Sequence, residues 1–489
     1  MDLGLNYLAS VSFYVPELVA LLTMVGVVFL ETTYNGTEKR TMMFNFSYLG
    51  LFITLVSLIL NFSAEPKAIF FNAVVIDPFS TLMKAIMVLG TMGSIYISQS
   101  SKDIYSNFRS EFVLLSIGVL IGGMILASAN NMLSLYIGIE TLSILSYVMA
   151  SLKRNDEFSS EAGLKYSLYG GLSAGLMLFG MSHIYGVLNT IQFAEVGIVI
   201  KTLSSAQLGI LIPSFLLFFA GLGYKIASVP FHMWSPDVYE GSPLPVTTFF
   251  SIVPKVAGIT SIIRVTHVFF SNDGLLQYSW IALLLVVAVL TMTVGNVAAI
   301  GQQSVKRMLA YSSISHAGFM LMGAVLINQD GASSVAFYAI MYLFMTLVSF
   351  YVVSYVTDYF GNDDFERFNG LIRTHPLAAI ILSMAMLSLA GVPPLGGFVS
   401  KFNLLSAVLK EGHYTMAIIA GLNSVVSLYY YMKIVRFMIL NPPESGEKIS
   451  GFTITNMTVL SIIASPILVI GLFWNDIYTV ASDAFLFIQ

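Results

Sequence analysis

Four ionisable residues stand in stretches so apolar that little but hydrocarbon or protein could surround them. They are Glu140 in Asn131-Met132-Leu133-Ser134-Leu135-Tyr136-Ile137-Gly138-Ile139-Glu140, Lys225 after Gly221-Leu222-Gly223-Tyr224, Lys255 after Pro254, and Lys401 after Gly397-Phe398. Insertion scales charge about 2.5–3.5 kcal/mol for one such group at a bilayer centre, so each calls for a partner or a purpose. The chemistry these types suit is proton transfer. A desolvated ammonium can give up its proton, whereas guanidinium never does. A lone carboxyl at Glu140 is either protonated or ionised beside a cation, and Lys225 is the natural candidate. The plain alternative is a packing salt bridge, yet apolar replacement of such a pair is often neutral or stabilising, so its retention points to use. A tenfold change in proton affinity corresponds to about 1.4 kcal/mol, so moving the carboxylate or wetting the cavity can load or empty Lys225. Lys255 is then the middle station and Lys401 the exit station, with water and histidine between. His316, in Tyr311-Ser312-Ser313-Ile314-Ser315-His316, is either a shuttle, since histidine titrates near pH 6.5, or a buried imidazole satisfied by a serine. His232, in Pro230-Phe231-His232-Met233-Trp234-Ser235-Pro236-Asp237, falls at a span end and is expected to gate proton uptake. No metal site is expected there, because only Asp237 and Glu240 are near and no second His lies at ligand spacing. The loop from Asp237 through Val238-Tyr239-Glu240-Gly241-Ser242-Pro243 has no Lys or Arg, and its two acids are expected to leave proton access unobstructed.

The elements that must position these groups follow from composition. Of 489 residues, 57% are hydrophobic and 10% charged, against about 25% charged in soluble domains. Such a chain cannot clothe a water-facing surface. Runs of the roughly 20 apolar residues that a membrane helix needs follow one another almost throughout. The reading is an all-α polytopic membrane protein of about fourteen spans, starting near residues 11, 44, 79, 110, 131, 163, 208, 246, 279, 305, 333, 376, 413 and 457. With that count, Lys39, Arg40, Lys102, Arg109, Lys153, Arg154, Lys306, Arg307, Arg367, Arg373, Lys433, Arg436 and Lys448 share one side, and only Lys67, Lys201 and Lys410 the other. The basic side is expected to be cytoplasmic, with both termini periplasmic. No basic segment precedes the first apolar run, so the first helix is expected to be retained rather than cleaved. Cys is absent, which excludes disulfides, thiolate nucleophiles and Cys-ligated clusters. A net charge of -4 without a basic stripe excludes nucleic-acid binding.

Six cations fall inside or close to the spans. Lys165 and Arg264 lie near span ends and are expected to snorkel to the headgroups. Lys84 is left with a lipid headgroup or another subunit as its partner. Lys225, Lys255 and Lys401 lie nearer mid-span. Helix breakers accompany two of them: Gly221 to Pro230 in the seventh span and Gly391-Val392-Pro393-Pro394-Leu395-Gly396-Gly397 in the twelfth. The two breaks are an odd five spans apart, so spans 4 to 8 and 9 to 13 read as an inverted repeat of five helices. The expected units are 1–108, 109–270, 271–440 and 441–489. Broken helices at matching places in two inverted halves mark an ion path, because irregular backbone at that depth is tolerated where it lines a cavity. The alternative is a pair of proline kinks.

With those marks in place, the chain resembles the antiporter-like membrane subunits of respiratory complex I over nearly its whole length. The resemblance rests on Gly223-Tyr224-Lys225 running into Pro230 through Gly241, on Lys306-Arg307-Met308-Leu309-Ala310-Tyr311-Ser312-Ser313-Ile314-Ser315-His316, and on Ser388-Leu389-Ala390-Gly391-Val392-Pro393-Pro394 with Gly397-Phe398 and Lys401-Phe402. It implies paired inverted bundles, a glutamate on the fifth helix matched by Glu140, and lysines on the seventh, eighth and twelfth matched by Lys225, Lys255 and Lys401. It further implies proton translocation in a bacterial inner membrane beside other membrane subunits, driven by redox chemistry elsewhere. NAD, FMN, iron–sulfur clusters and quinone are expected on partner subunits, and no cofactor on this chain. Multi-subunit cation/proton antiporters and membrane-bound hydrogenases share the bundle. Sodium would favour carboxylates and carbonyls over lysine stations, so the lysines speak for protons. A purely structural scaffold fits poorly with ionisable groups buried in several spans.

Overall fold

A computed structural model describes residues 10–34, 38–62, 65–153, 155–270, 274–443, 449 and 451–485; Arg154 and Lys448, counted among the loop cations, lie outside them. The chain is nearly all helix. Helices α1 (Val15–Thr33) and α2 (Lys39–Leu60) lead through a two-stranded antiparallel hairpin, β1 (Lys67–Ile69) and β2 (Val74–Ile76), into α3 (Pro78–Ser100), α4 (Arg109–Ala127) and α5 (Met132–Ala150). Then come α6 (Glu157–Leu188), short α7 (Phe193–Val199), α8 (Ser205–Lys225), short α9 (Trp234–Gly241) and α10 (Leu244–Phe270). The second half holds α11 (Leu275–Ile300), α12 (Val305–Ala324), α13 (Gln329–Phe360), one-turn α14 (Leu371–Thr374), α15 (Pro376–Ala390), α16 (Gly396–Lys410) and α17 (Tyr414–Leu440). Helices α18 (Ile454–Leu472) and α19 (Trp474–Phe485) complete it.

Among the described residues twelve helices are long and apolar enough to cross a membrane. Every expected span start lies within six residues of a helix start. The fit reflects caps that the sequence carries openly. Asp77 accepts from the Ser80 amide before α3, Asn131 from the Ser134 amide before α5, and Asp156 from the Ser159 amide before α6. The hairpin and α19 were not expected from apolar periodicity. The hairpin is three residues per strand, too short to register in a span-length window, and α19 is amphipathic, its buried face being Ala481, Ala484 and Phe485.

The interior is built around α10, in which every residue but Val268 is buried, with α12 and α13 beside it. This explains why α12 can be the polar member of the set. It faces protein instead of hydrocarbon, so hydroxyls and an imidazole meet partners rather than lipid.

Three charges overturn the sequence reading. Lys84 is buried and bonds Glu17 of α1 at 2.5 Å, so its partner is neither a headgroup nor another chain. Arg264 does not snorkel; its guanidinium is buried against Asp77 at 2.8 Å and also donates to the Ala127 carbonyl. Lys165 pairs with Glu161 and Asp237, each at 2.6 Å, instead of reaching headgroups. In each case the anion comes from another element or a neighbouring turn, which apolar-run analysis does not weigh. Removing one partner of a buried pair leaves an uncompensated charge, so Lys84→Ala is expected to cost about 3–5 kcal/mol. Lys84→Met with Glu17→Leu should recover most of that. Thermal unfolding of the detergent-solubilised protein measures both, and a double variant as unstable as the single would refute a purely structural pair.

Candidate functional site

Both interrupted spans end a helix beside a lysine. Lys225 is the last residue of α8, which closes through Ile226 and Ala227, the latter in the left-handed region at φ 58°. The chain then turns through Val229-Pro230 to restart at Trp234. In the second interruption Gly391 adopts φ 90°, a conformation that favours glycine, and its amide returns to the Leu387 and Ser388 carbonyls. Helix α16 then starts at Gly396 and brings Lys401 back over the end of α15.

Each lysine is buried and solvated by neutral groups. Lys225 Nζ donates to Ser143 Oγ at 3.0 Å and lies 5.8 Å from the centre of the Tyr166 ring. Lys255 Nζ donates to Ser313 Oγ at 2.7 Å and lies 5.7 Å from the Tyr239 ring. Lys401 Nζ donates to the Ala390 carbonyl and to Ser424 Oγ, both at 3.0 Å, with the Phe319 ring at 4.8 Å. Ala390 ends α15, so its carbonyl is one of the acceptors a helix terminus leaves unpaired, and a cation there also meets the negative end of the helix dipole.

Glu140 sits one turn before Ser143 and is partly exposed, on the same side of α5 as exposed Leu133, Ile137, Ile144 and Val148. Its Oε1 is buried without a hydrogen-bond partner. The expected direct pair with Lys225 is not formed; Ser143, one turn from Glu140, takes the ammonium. The helix that carries Lys255 nevertheless passes beside Lys225, since a Cβ placed on Gly258, one turn after Lys255, would lie 3.6 Å from the Lys225 Cβ.

His316 is fully packed between two tyrosines, its Nδ1 2.5 Å from Tyr338 Oη and its Nε2 3.0 Å from Tyr431 Oη. Tyr431 Oη in turn bonds Ser312 Oγ. The imidazole is therefore satisfied by phenols, not by a serine; Ser313, which bonds Lys255, lies one turn before it, and Phe319, the ring beside Lys401, one turn after. His232 is largely buried at the first interruption. The acids of α9 are not bare: Asp237 pairs with Lys165 and Arg307, and Glu240 with Arg307. Lys306, counted with the loop cations, is buried on the Glu240 and Ser242 carbonyls.

Sequence reading missed Ser143, Ser313, Ser424, Tyr166, Tyr239, Tyr338 and Tyr431. Ser143 and Ser313 carry a local signal, each three residues from Glu140 or His316 on the same helix face. The others reach the site only by tertiary packing.

The family model described as "NADH:quinone oxidoreductase/Mrp antiporter, TM" matches residues 129–427, which hold Glu140, all three lysines and both site histidines. NADH-quinone oxidoreductase subunit N 2 of Sorangium cellulosum is 36% identical, with 97% of each chain covered. The chain belongs to the family of NADH-quinone oxidoreductase subunit N. A chain in the structure of respiratory complex I from Thermus thermophilus superposes with a TM-score of 0.81 at 28% identity, covering 96% of this chain and 99% of that one. The fold extends further still. A chain of the Mrp complex from Dietzia sp. gives a TM-score of 0.83 at 20% identity, with 96% of each covered. The similarity to the subunit N of Sorangium cellulosum thus spans nearly the whole of both chains.

The second interruption leaves no room at Gly397, where a Cβ would collide with the Ser388 carbonyl. Gly397→Ala is expected to push α16 off α15 and to destabilise the chain by about 1–3 kcal/mol, the usual cost of overpacking. Unchanged thermal unfolding in detergent would show that the interruption can yield.

Proposed function

We propose that this chain is a proton-translocating membrane subunit of an NADH:quinone oxidoreductase, carrying protons along Glu140, Lys225, Lys255, His316 and Lys401. The observation that carries the reading is the solvation of the lysines. Three ammonium groups lie inside the helix bundle on hydroxyls, a carbonyl and ring faces, with no carboxylate among the described residues in contact. Such partners hold a proton without fixing it there, as a relay requires.

Redox work, with NAD, FMN, iron–sulfur clusters and quinone, belongs to partner subunits, and this chain takes up the conformational or electrostatic signal. Glu140 receives it first, being at the edge of an exposed apolar face that another membrane subunit can cover. Lys225 discharges toward Lys255, His316 passes the proton by exchanging tautomers between its two phenol partners, and Lys401 releases it. His232 gates uptake at the first interruption. The spans number fourteen on this reading: the twelve apolar helices, α12, and α15 with α16 as one broken span. Residues 109–270 and 271–440 form the inverted bundles, which the two interruptions support. The positive-inside distribution supports a bacterial inner-membrane protein with both termini periplasmic.

Replacing Glu140, Lys225 or Lys401 with Ala should leave the complex assembled and cut NADH-driven proton pumping in inverted membrane vesicles; normal pumping in all three would refute the assignment. Lys255→Arg should impair pumping as well, because guanidinium keeps its proton. Full pumping in that variant would make Lys255 a structural charge.

A further inference from the structure

Helix α9, the eight residues beyond the first interruption, is gripped by charges on its outer side and touches the surroundings of two lysines through its aromatic side chains. Outside, Asp237 Oδ2 accepts from Lys165 of α6 at 2.6 Å and Oδ1 faces Arg307 Nη2 of α12 at 3.0 Å. Arg307 also pairs with Glu240, and Lys165 with Glu161. These side chains line a polar cavity of about 150 Å³. At the C-terminal end of α9, Lys306 Nζ donates to the Glu240 and Ser242 carbonyls at 3.1 and 2.5 Å, completing acceptors the helix leaves unpaired. Inside, the Trp234 ring stacks on Tyr166 with centroids 4.3 Å apart, and Tyr166 is the ring beside Lys225. Tyr239, less than two turns on, is the ring beside Lys255.

We infer that α9 is a lever between Lys225 and Lys255, and that Asp237, held by Lys165 of one bundle and Arg307 of the other, is the positioning residue that sets its resting place. The inference rests on the proposed relay. A ring is attracted to an ammonium and not to a neutral amine, so unloading Lys225 loosens Tyr166 and with it Trp234. Rotation of α9 then carries Tyr239 relative to Lys255 and changes how well that amine holds a proton. Each outer ion pair is partly exposed and so individually weak, which lets the grip define one position yet release within a turnover.

The test compares Asp237→Asn, Asp237→Glu and Lys225→Ala in the intact complex in inverted membrane vesicles, measuring assembled complex, NADH oxidation and protons moved per electron. Asp237→Asn is expected to assemble normally, to keep oxidising NADH and to lose protons moved per electron. Asp237→Glu should restore much of it. A fall in assembled complex with unchanged protons per electron would make the cluster merely structural and overturn the inference. Impaired Lys225→Ala beside a normally pumping Asp237→Asn overturns the lever alone, whereas normal pumping by Lys225→Ala overturns the relay beneath it. Where Asp237→Asn does not assemble, Arg307→Gln, which leaves Asp237 on Lys165, is read by the same criteria.

Discussion

An ammonium group has three protons to place and no lone pair, and in hydrocarbon every unplaced proton is costly. How this chain meets that demand governs the rest of its architecture. Lys401 obtains a carbonyl only because α15 stops at Ala390, and α15 stops because Gly391 turns the backbone back on itself. Lys225 lies where α8 stops. The second interruption thus supplies an acceptor where an unbroken helix would keep all its carbonyls to itself, whereas at the first the ammonium takes a serine of α5, and α10, α12 and α13 are buried behind other helices.

Two populations of buried charge separate on this basis. Lys84 with Glu17, and Arg264 with Asp77, are closed contacts between opposite formal charges, and Asp77 also caps α3. Such pairs lock helices together: Lys84 ties α3 to α1, and Arg264 ties α10 to the start of α3. Lys225, Lys255 and Lys401 have neutral partners and aromatic faces instead. The contrast lies within one chain, under one solvent: ion pairs that join helices on one hand, ammonium groups held by neutral partners on the other.

Much of this was legible in the sequence, for identifiable reasons. Helix positions were, because the apolar runs are span-length and their caps are local: Asp77, Asn131 and Asp156 stand where the helices begin. The lysines were, because a cation in an apolar run is conspicuous. Their partners were not. Tyr338 and Tyr431 flank His316 from helices far along the chain, and nothing near either residue in sequence announces that. The same blindness misled the reading of Arg264 and Lys165, whose positions near span ends suggested lipid while Asp77 and Asp237 waited on other elements. Glu140 and Lys225 were rightly placed near one another, yet a serine one turn from Glu140 intervenes, a detail of side-chain reach that spacing does not resolve.

The outward placement of Glu140 gives the chain an unusual dependence. Its carboxyl shares a helix side with Leu133, Ile137, Ile144 and Val148, so whatever presses on α5, acyl chains or another polypeptide, fixes the local dielectric around it. Exchanging that neighbour would retune the acid with which the proposed relay begins without altering a single atom of this polypeptide, and the same sequence in a different assembly would hold a proton at Glu140 with a different grip.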